Sequence, residues 1–345
     1  KIFFQICKSS ELMLADAFSL PCGAVIKNRL VKAAMTERLS SDGQPTDAHV
    51  SLYKRWADTN AGLLITGNVL IDHHHLESAG NVVIDQITSY EQLKKLTDAA
   101  KINGGHIWAQ ISHSGRQTTR FINNRPKAPS SVQLKKMGLF GMPEALTAVE
   151  INQIIDGFVS AAVICKSGGF TGVQIHAAHG YLLSQFLSPV TNKRTDQWGG
   201  SIDSRSRVLK EIILKMRRSL GADFPISVKL NSADFQKGGF DENDSLEVIR
   251  MLDELGIDLL EISGGTYEKL VFFTMAEEKE STKRREAYFI DFAKKVREVT
   301  NIPLMVTGGF RSYQFAEETL TQGEVDFVGM ARPFILNLDQ IKGFL

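Results

Sequence analysis

Residues 172–188 read GVQIHAAHGYLLSQFLS. The first four, Gly172-Val173-Gln174-Ile175, form a short apolar run with two β-branched residues and a glycine at its start, which predicts a buried strand. Its C-terminal end delivers His176, His179 and Tyr181 in quick succession. Two imidazoles separated by two alanines can converge on one small acceptor. A phenol two positions further on can supply a proton, and the small residues between them leave room for a ligand. A single histidine at a strand end is an ordinary structural group; the cluster reads as a functional site.

Outward from this strand the chain alternates short apolar runs with longer amphipathic ones. Strands are predicted over 30–35, 62–66, 106–111, 225–230, 257–262, 303–307 and 325–329. Helices are predicted over 47–60, 90–103, 148–168, 203–220, 243–255, 286–299 and 313–323, with a last one near 337–345. Gly104-Gly105 closes the second helix as a C-terminal cap, and Thr147 with Glu150 has the spacing of a capping box at the start of the helix over 148–168. Eight short strands, apolar on both faces and separated by helices, predict a parallel sheet closed into a (β/α)8 TIM barrel, with 1–345 as one domain. Two spans break the rhythm. Residues 112–147, rich in Ser, Asn, Lys and Pro, read as an excursion after the third strand, and the charged span 263–285 as a lid-like loop after the sixth.

Composition excludes several classes. Forty basic against thirty-nine acidic residues give a formal charge of +1, so no broad field attracts nucleic acid or an anionic membrane. No apolar run approaches the roughly 20 residues of a membrane span, and the N-terminal residues do not read as a signal peptide. Cys7, Cys22 and Cys165 are scattered, without a CxxC pair, so neither an iron–sulfur cluster nor structural zinc is expected and a reducing, cytoplasmic setting follows. His73-His74-His75 reads as a solvated polar loop rather than a metal site.

In such a barrel the chemistry sits at the C-terminal ends of the strands, and phosphate groups bind at the loops after strands seven and eight. Those loops are Thr307-Gly308-Gly309-Phe310-Arg311 and Gly329-Met330-Ala331-Arg332-Pro333. Their glycines allow close backbone approach, and Arg332 can add a charge-assisted bond, so a phosphorylated ligand is expected. Ala34, Met35 and Thr36, Gly67 and Asn68, Gln110 and Ser112, Lys229 and Asn231, and Ser263 to Gly265 end the other strands at the same mouth. Asn28 and Arg29 are expected to fix the entry to the first strand. Arg194, Asp196, Trp198 and Gly199-Gly200 are expected to form a bracing loop. Tyr267 either covers the pocket or packs on it.

The runs KNRLVKAAMTER, AQISHSGRQ, GVQIHAAHGYLLSQFLSPVTNKRTDQWGGS, VKLNSADF, VTGGFRS and GMARPF resemble the old yellow enzyme family of FMN-dependent NAD(P)H:flavin oxidoreductases, in the family's order from about Asn28 to Arg332. The resemblance implies tightly bound, non-covalent FMN and NADH or NADPH as reductant. Thr36 would donate to the flavin O4, and Gln110 would pair with the pyrimidine edge. Lys229 would sit by N1 and the C2 carbonyl and stabilise the anionic reduced flavin. Ala34 and Met35 would pack on the ring. Gly309 and Arg332, with backbone groups of Gly308 and Ala331, would hold the phosphate. His176 and His179 would bind the carbonyl or nitro oxygen of an electron-poor small molecule, and Tyr181 would be the proton donor. At Gly67-Asn68 many members have Glu followed by a small residue, so the flavin contact expected at Asn68 departs from the pattern. With three scattered cysteines in 345 residues, appended iron–sulfur and dinucleotide domains of the kind larger relatives carry are not expected.

The expected reaction is reduction of activated alkenes. Two alternatives stay open: a flavin-dependent dehydrogenase or demethylase working in the oxidative direction, and a low-turnover flavin-binding protein. A metal-dependent hydrolase drawing on His176 and His179 lacks a third ligand. The sequence does not fix the physiological substrate, the nicotinamide preference or the oligomeric state, a homo-oligomer included.

Overall fold

The computed structural model describes residues 13–266, 278–308, 310 and 312–345, with the backbone alone for 278–287. Gly309, Arg311, Tyr267 and Cys7 lie outside the described residues.

Eight parallel strands close into a barrel in sequential order. They are β1 (Leu30–Lys32), β2 (Leu63–Leu70), β3 (His106–Ser112), β4 (Gly172–Ala177), β5 (Ile226–Asn231), β6 (Leu259–Ser263), β7 (Leu304–Thr307) and β8 (Phe327–Met330). The helices are α1 (Asp47–Ala57), α2 (Tyr90–Ala100), α3 (Ala148–Ser167), α4 (Leu182–Leu187), α5 (Ile202–Leu220), α6 (Glu242–Glu254), α7 (Glu278–Arg297), α8 (Tyr313–Thr321), α9 (Pro333–Leu336) and α10 (Leu338–Lys342). Thr147 and Glu150 form the expected capping box on α3.

Side chains alternate between the two faces along the strands, as the pleat requires, except across the bulge in β2. Ile107, Ala109, Ile111, Val173, Ile175, Val228, Leu230, Leu260 and Ile262 face outward and join the core beneath the helices. Val31, Ile65, Trp108, Leu259, Met305 and Phe327 face inward and fill the lower barrel together with Leu20 and Ile26. The antiparallel pair Phe18–Ser19 and Val25–Ile26 closes that end, and the Phe18 and Phe327 rings meet edge to face at 5.0 Å.

Two glycines are required by contact. A Cβ on Gly172 would lie 2.4 Å from the Trp108 indole nitrogen, so the glycine opening β4 makes room for the largest side chain of the lower barrel. A Cβ on Gly67 would lie 2.4 Å from the Met35 carbonyl oxygen. Gly67 sits where the β2–β3 register shifts between Ile65 and Asn68, a bulge that brings Asn68 opposite Gln110.

Several expectations are corrected. β1 ends at Lys32, because Ala34 to Thr36 already belong to the mouth, and β2 runs on to Leu70 through its bulge. The strands are not apolar on both faces: their inward positions turn polar toward the C-terminal end. Residues 278–285 are helical and belong to α7, so the lid-like span is shorter than its charge suggested. α3 is long and apolar enough by composition to cross a membrane, yet Ile151, Ile155, Phe158, Ala162 and Cys165 are buried in the core. The excursion carries the short parallel pair Lys127–Ala128 and Glu144–Ala145. Arg194, expected in a loop that braces the barrel, instead holds the excursion, donating to the Pro129 and Leu146 carbonyls at 3.0 and 2.6 Å while paired with Asp196. Asn28 fixes the start of β1 by accepting from the Gly62 amide at 2.7 Å and donating to the Asn60 carbonyl at 2.8 Å.

Gly172→Ala tests the β4–Trp108 fit. Overpacking here is expected to lower unfolding stability by about 1–3 kcal/mol, read as a lower urea midpoint with unchanged slope.

Candidate active site

β4 ends at His176-Ala177, and the chain turns sharply beyond it: His179 has φ of 59°. His176 Nδ1 accepts the Ala178 amide at 3.2 Å, which leaves the proton on Nε2. The His179 amide donates to Asn231 Oδ1 at 3.2 Å, and its Nε2 lies 2.5 Å from Ser263 Oγ. When the Ser263 hydroxyl donates, the His179 proton sits on Nδ1. The two rings are nearly perpendicular at a centroid distance of 5.2 Å, and the Tyr181 ring meets His176 at 4.8 Å. Burial, then the neighbouring His179 and Lys229, hold the His176 imidazole well below its ordinary range. Burial and the Lys229 charge hold His179 at about 3. Both are therefore neutral donors at neutral pH. The structure thus brings together the three residues picked out at this strand end.

Beside them, Gln110, Gln174, Lys229, Glu261 and Thr307 are the inward residues of consecutive strands, with Lys229 paired opposite His176. Gln110 Nε2 donates to Gln174 Oε1 at 2.8 Å, and Gln174 Nε2 donates to Glu261 Oε2 at 2.8 Å. Glu261 Oε1 receives Lys229 Nζ at 3.0 Å and the Thr307 hydroxyl at 2.6 Å. Thr36 Oγ1 lies 2.9 Å from both Asn68 Oδ1 and Glu77 Oε2. Glu37 pins this corner, accepting the Gly67 amide at 2.9 Å and the Tyr53 hydroxyl.

The donor set can be tested against a flavin. Asn68 Nδ2 is buried without a partner, and Gln110 Oε1 has none among the described residues. An unpaired donor and an unpaired acceptor on paired strand positions suit the edge of a heterocycle that carries both. Ala34 and Ala331 pack on the inner barrel cluster, and Met35 is half-buried. Arg332 is exposed at the start of α9 and has no ion-pair partner among the described residues. One expectation is corrected: the Gly308 amide donates to the Gly329 carbonyl at 3.0 Å, so it is spent on the barrel ladder and not left for a phosphate.

The histidine run is a solvated loop only in part: His74 is exposed and His73 partly so, but His75 turns inward. His75 is buried and its ring stacks on His113 at 4.2 Å. With Asp72 they bring three ligand-type atoms within 4.8 Å of one another. Their hydrogen bonds argue against a metal. Lys127 N–H donates to His75 Nε2 at 3.0 Å and Gly115 N–H donates to His113 Nδ1 at 2.9 Å. Those acceptor nitrogens carry no proton, so the protons of the neutral rings lie on the nitrogens facing Asp72, at 3.0 and 3.3 Å. A metal-binding histidine has the opposite arrangement, its outer nitrogen donating. The trio is a latch between the β2 loop and the excursion. Burial alone would raise the Asp72 carboxyl, but the bonds from His113 and His75 outweigh it and hold it low.

Sequence reasoning passed over Glu261, Gln174, Glu77 and Gln185. Gln185 ties the β3 loop to the β4 tip, accepting from the Arg116 amide at 3.2 Å and donating to the Gly180 carbonyl at 2.8 Å. The signal for the first two was present: VQIH, SVKLN and LEIS alternate polar with apolar residues.

Burial lowers His113 from the ordinary 6.5 to about 4. Its neutral form is the one the fold holds, so its share of stability is complete above the ordinary value and is lost as pH falls through that window. His113→Gln is expected to flatten the acid limb of the stability–pH curve by about 1.4 kcal/mol per pH unit, measured by urea unfolding at steps across the window.

The sequence matches the NADH:flavin oxidoreductase / NADH oxidase family over residues 22–342. It is 40% identical over 324 residues to the NADH-dependent flavin oxidoreductase nadA of Aspergillus parasiticus, covering 89% of this chain and 72% of that one. It is 34% identical to the NADH-dependent flavin oxidoreductase iliE of Neonectria sp. (strain DH2), covering 95% of this chain but only 46% of the relative, so the chain spans about half that protein's length. Among solved structures, the old yellow enzyme homologue from Zymomonas mobilis superposes with a TM-score of 0.80 at 27% identity, over 94% of this chain and 90% of that one. With a closed parallel barrel, unpaired groups suited to a flavin edge and a match along nearly its whole length, the chain belongs to the NADH:flavin oxidoreductase / NADH oxidase family, FMN-dependent enzymes of the old yellow enzyme type.

Proposed function

We propose that this chain reduces electron-poor alkenes, such as α,β-unsaturated carbonyl compounds, with electrons from NADH or NADPH. The observation that carries the reading is the pair of neutral imidazoles, His176 buried and His179 half-buried, set nearly at right angles beside Tyr181 at the end of the strand next to Lys229.

When bound, FMN carries two reducing equivalents from the nicotinamide to the acceptor. The protein's part is to hold, orient and polarise. Asn68 and Gln110 offer their unpaired donor and acceptor to the cofactor's polar edge, and Thr36 adds a hydroxyl there. Lys229 places a positive charge at the same side of the mouth. Ala34 and Met35 would pack against the ring, and Arg332, with the backbone at Ala331 and the expected contribution of Gly309, would hold the phosphate. His176, through Nε2–H, and His179, through Nδ1–H, would direct two neutral donors at the acceptor's oxygen, where negative charge grows as the alkene is reduced. Neutral donors suit this role, because they stabilise the developing charge without a protonation step of their own. Tyr181 then delivers its phenolic proton to the carbon next to the carbonyl. Ser263 keeps the His179 proton on the nitrogen that faces away from it.

Purified protein is expected to be yellow, or to become so with FMN, and to bleach anaerobically with NADH or NADPH. Tyr181→Phe is expected to slow re-oxidation by an enone by about 100-fold or more while leaving bleaching unchanged, measured by stopped-flow absorbance. Equal re-oxidation rates remove Tyr181 as the acid. A wild-type protein that bleaches but is not re-oxidised by enones, quinones or nitro compounds is a flavin binder and not this reductase. Ser263→Ala is expected to weaken binding of a carbonyl ligand by about tenfold through loss of the His179 tautomer, read by spectral titration of the bound flavin.

A further inference from the structure

Glu261 is fully buried in the wall of the barrel, and among the described residues each of its polar partners is a donor. Lys229 Nζ lies at 3.0 Å, the Thr307 hydroxyl at 2.6 Å and Gln174 Nε2 at 2.8 Å. A lysine ammonium can only donate, and an ionised carboxylate can only accept. The polarity of the next bonds is therefore forced. Gln174 must turn its NH2 toward Glu261, which turns its Oε1 toward Gln110. Gln110 must answer with Nε2, at 2.8 Å. Its own Oε1 and its second N–H are left to face the mouth. The charge on Glu261 thus decides, two side chains away, whether Gln110 shows an acceptor beside a donor or donors alone.

The same carboxylate acts on Lys229. A lone buried ammonium projects a full charge on whatever lies beyond it. One paired at 3.0 Å projects the field of a dipole, which falls off faster with distance.

We propose that Glu261 is a positioning residue for the cofactor: it fixes the direction in which Gln110 presents its amide, through Gln174, and moderates the positive charge that Lys229 presents at the same edge. This rests on the reading of Gln110 and Lys229 as neighbours of FMN.

Glu261→Gln keeps the shape and removes the charge. One amide oxygen cannot serve the donors on both sides. With that oxygen kept for Lys229 and Thr307, its NH2 faces Gln174. Gln174 then flips, Gln110 flips after it, and the Gln110 acceptor is consumed. Reduction of a flavin adds negative charge, so an uncompensated Lys229 favours the reduced form. Apoprotein reconstituted with FMN is expected to show at least a tenfold higher Kd for FMN in E261Q, by fluorescence quenching. The midpoint potential is expected to lie positive of wild type, by photoreduction against a reference dye. Lys229→Met is expected to shift the potential negative. A folded E261Q with wild-type Kd and potential overturns the proposal, because a merely structural role would lower thermal stability and move neither. If Lys229→Met leaves the potential unchanged, the placement of Lys229 beside the cofactor fails and the charge half of the proposal fails with it. A loss of FMN affinity in E261Q separates that result from failure of the relay. Should E261Q not accumulate as folded protein, Gln174→Leu breaks the relay without removing a charge. It is expected to raise the FMN Kd about tenfold with the potential unchanged, and an unchanged Kd overturns the proposal.

Discussion

Closure of the barrel is the constraint from which the rest follows. In a closed parallel sheet every second side chain points inward, into a space that must be filled at the bottom and can open only at the top. The lower inward positions are apolar: Val31, Ile65, Trp108, Leu259, Met305 and Phe327. One step further along the strands the inward positions become Asn68, Gln110, Gln174, Lys229, Glu261 and Thr307, and the next step adds His176, Asn231 and Ser263. On β3 and β6 the change from oil to hydrogen bonds happens within two residues, from Trp108 to Gln110 and from Leu259 to Glu261. It sets the floor of the site at the height where polar side chains can still satisfy one another. The wide outer layer under the helices supplies the burial that holds this arrangement closed.

The barrel was legible because its strongest signals are local. Short apolar runs with caps between them recur at regular spacing, and the capping box at Thr147 and Glu150 forms as written. The β4 cluster was legible because its residues are adjacent in sequence. What escaped depends on neighbours that sequence does not order. The register shift at Gly67 is decided by how closely the Met35 carbonyl approaches β2. His75 is drawn inward because His113 and Asp72, supplied by different strands, need it. The alternation in LLEIS marks Glu261 as facing inward, but it does not announce a lysine on the strand beside it. The Gly308 amide is lost to the ladder for the same reason: the partner, Gly329, lies on another strand.

Two buried lysines show how placement decides what a charge can do. Lys32 lies on β1 but faces outward. It donates to the Ile65 carbonyl at 2.6 Å and lies 4.2 Å from the centre of the Trp56 ring, and burial brings it down to about 8. An aromatic face and a carbonyl hold this cation, and the charge of Glu37 favours it. Lys229 faces inward and meets a carboxylate instead. The difference is one of strand parity, and parity is also what separates the imidazoles from the helix layer. His176 faces inward while Ile175 and Ala177 face the core, so a slip of one residue in β4 would exchange them. Trp108 opposes such a slip, because only Gly172 leaves room for its indole. The fit of one large ring against one glycine at the bottom of the barrel therefore fixes which side chains stand at the top.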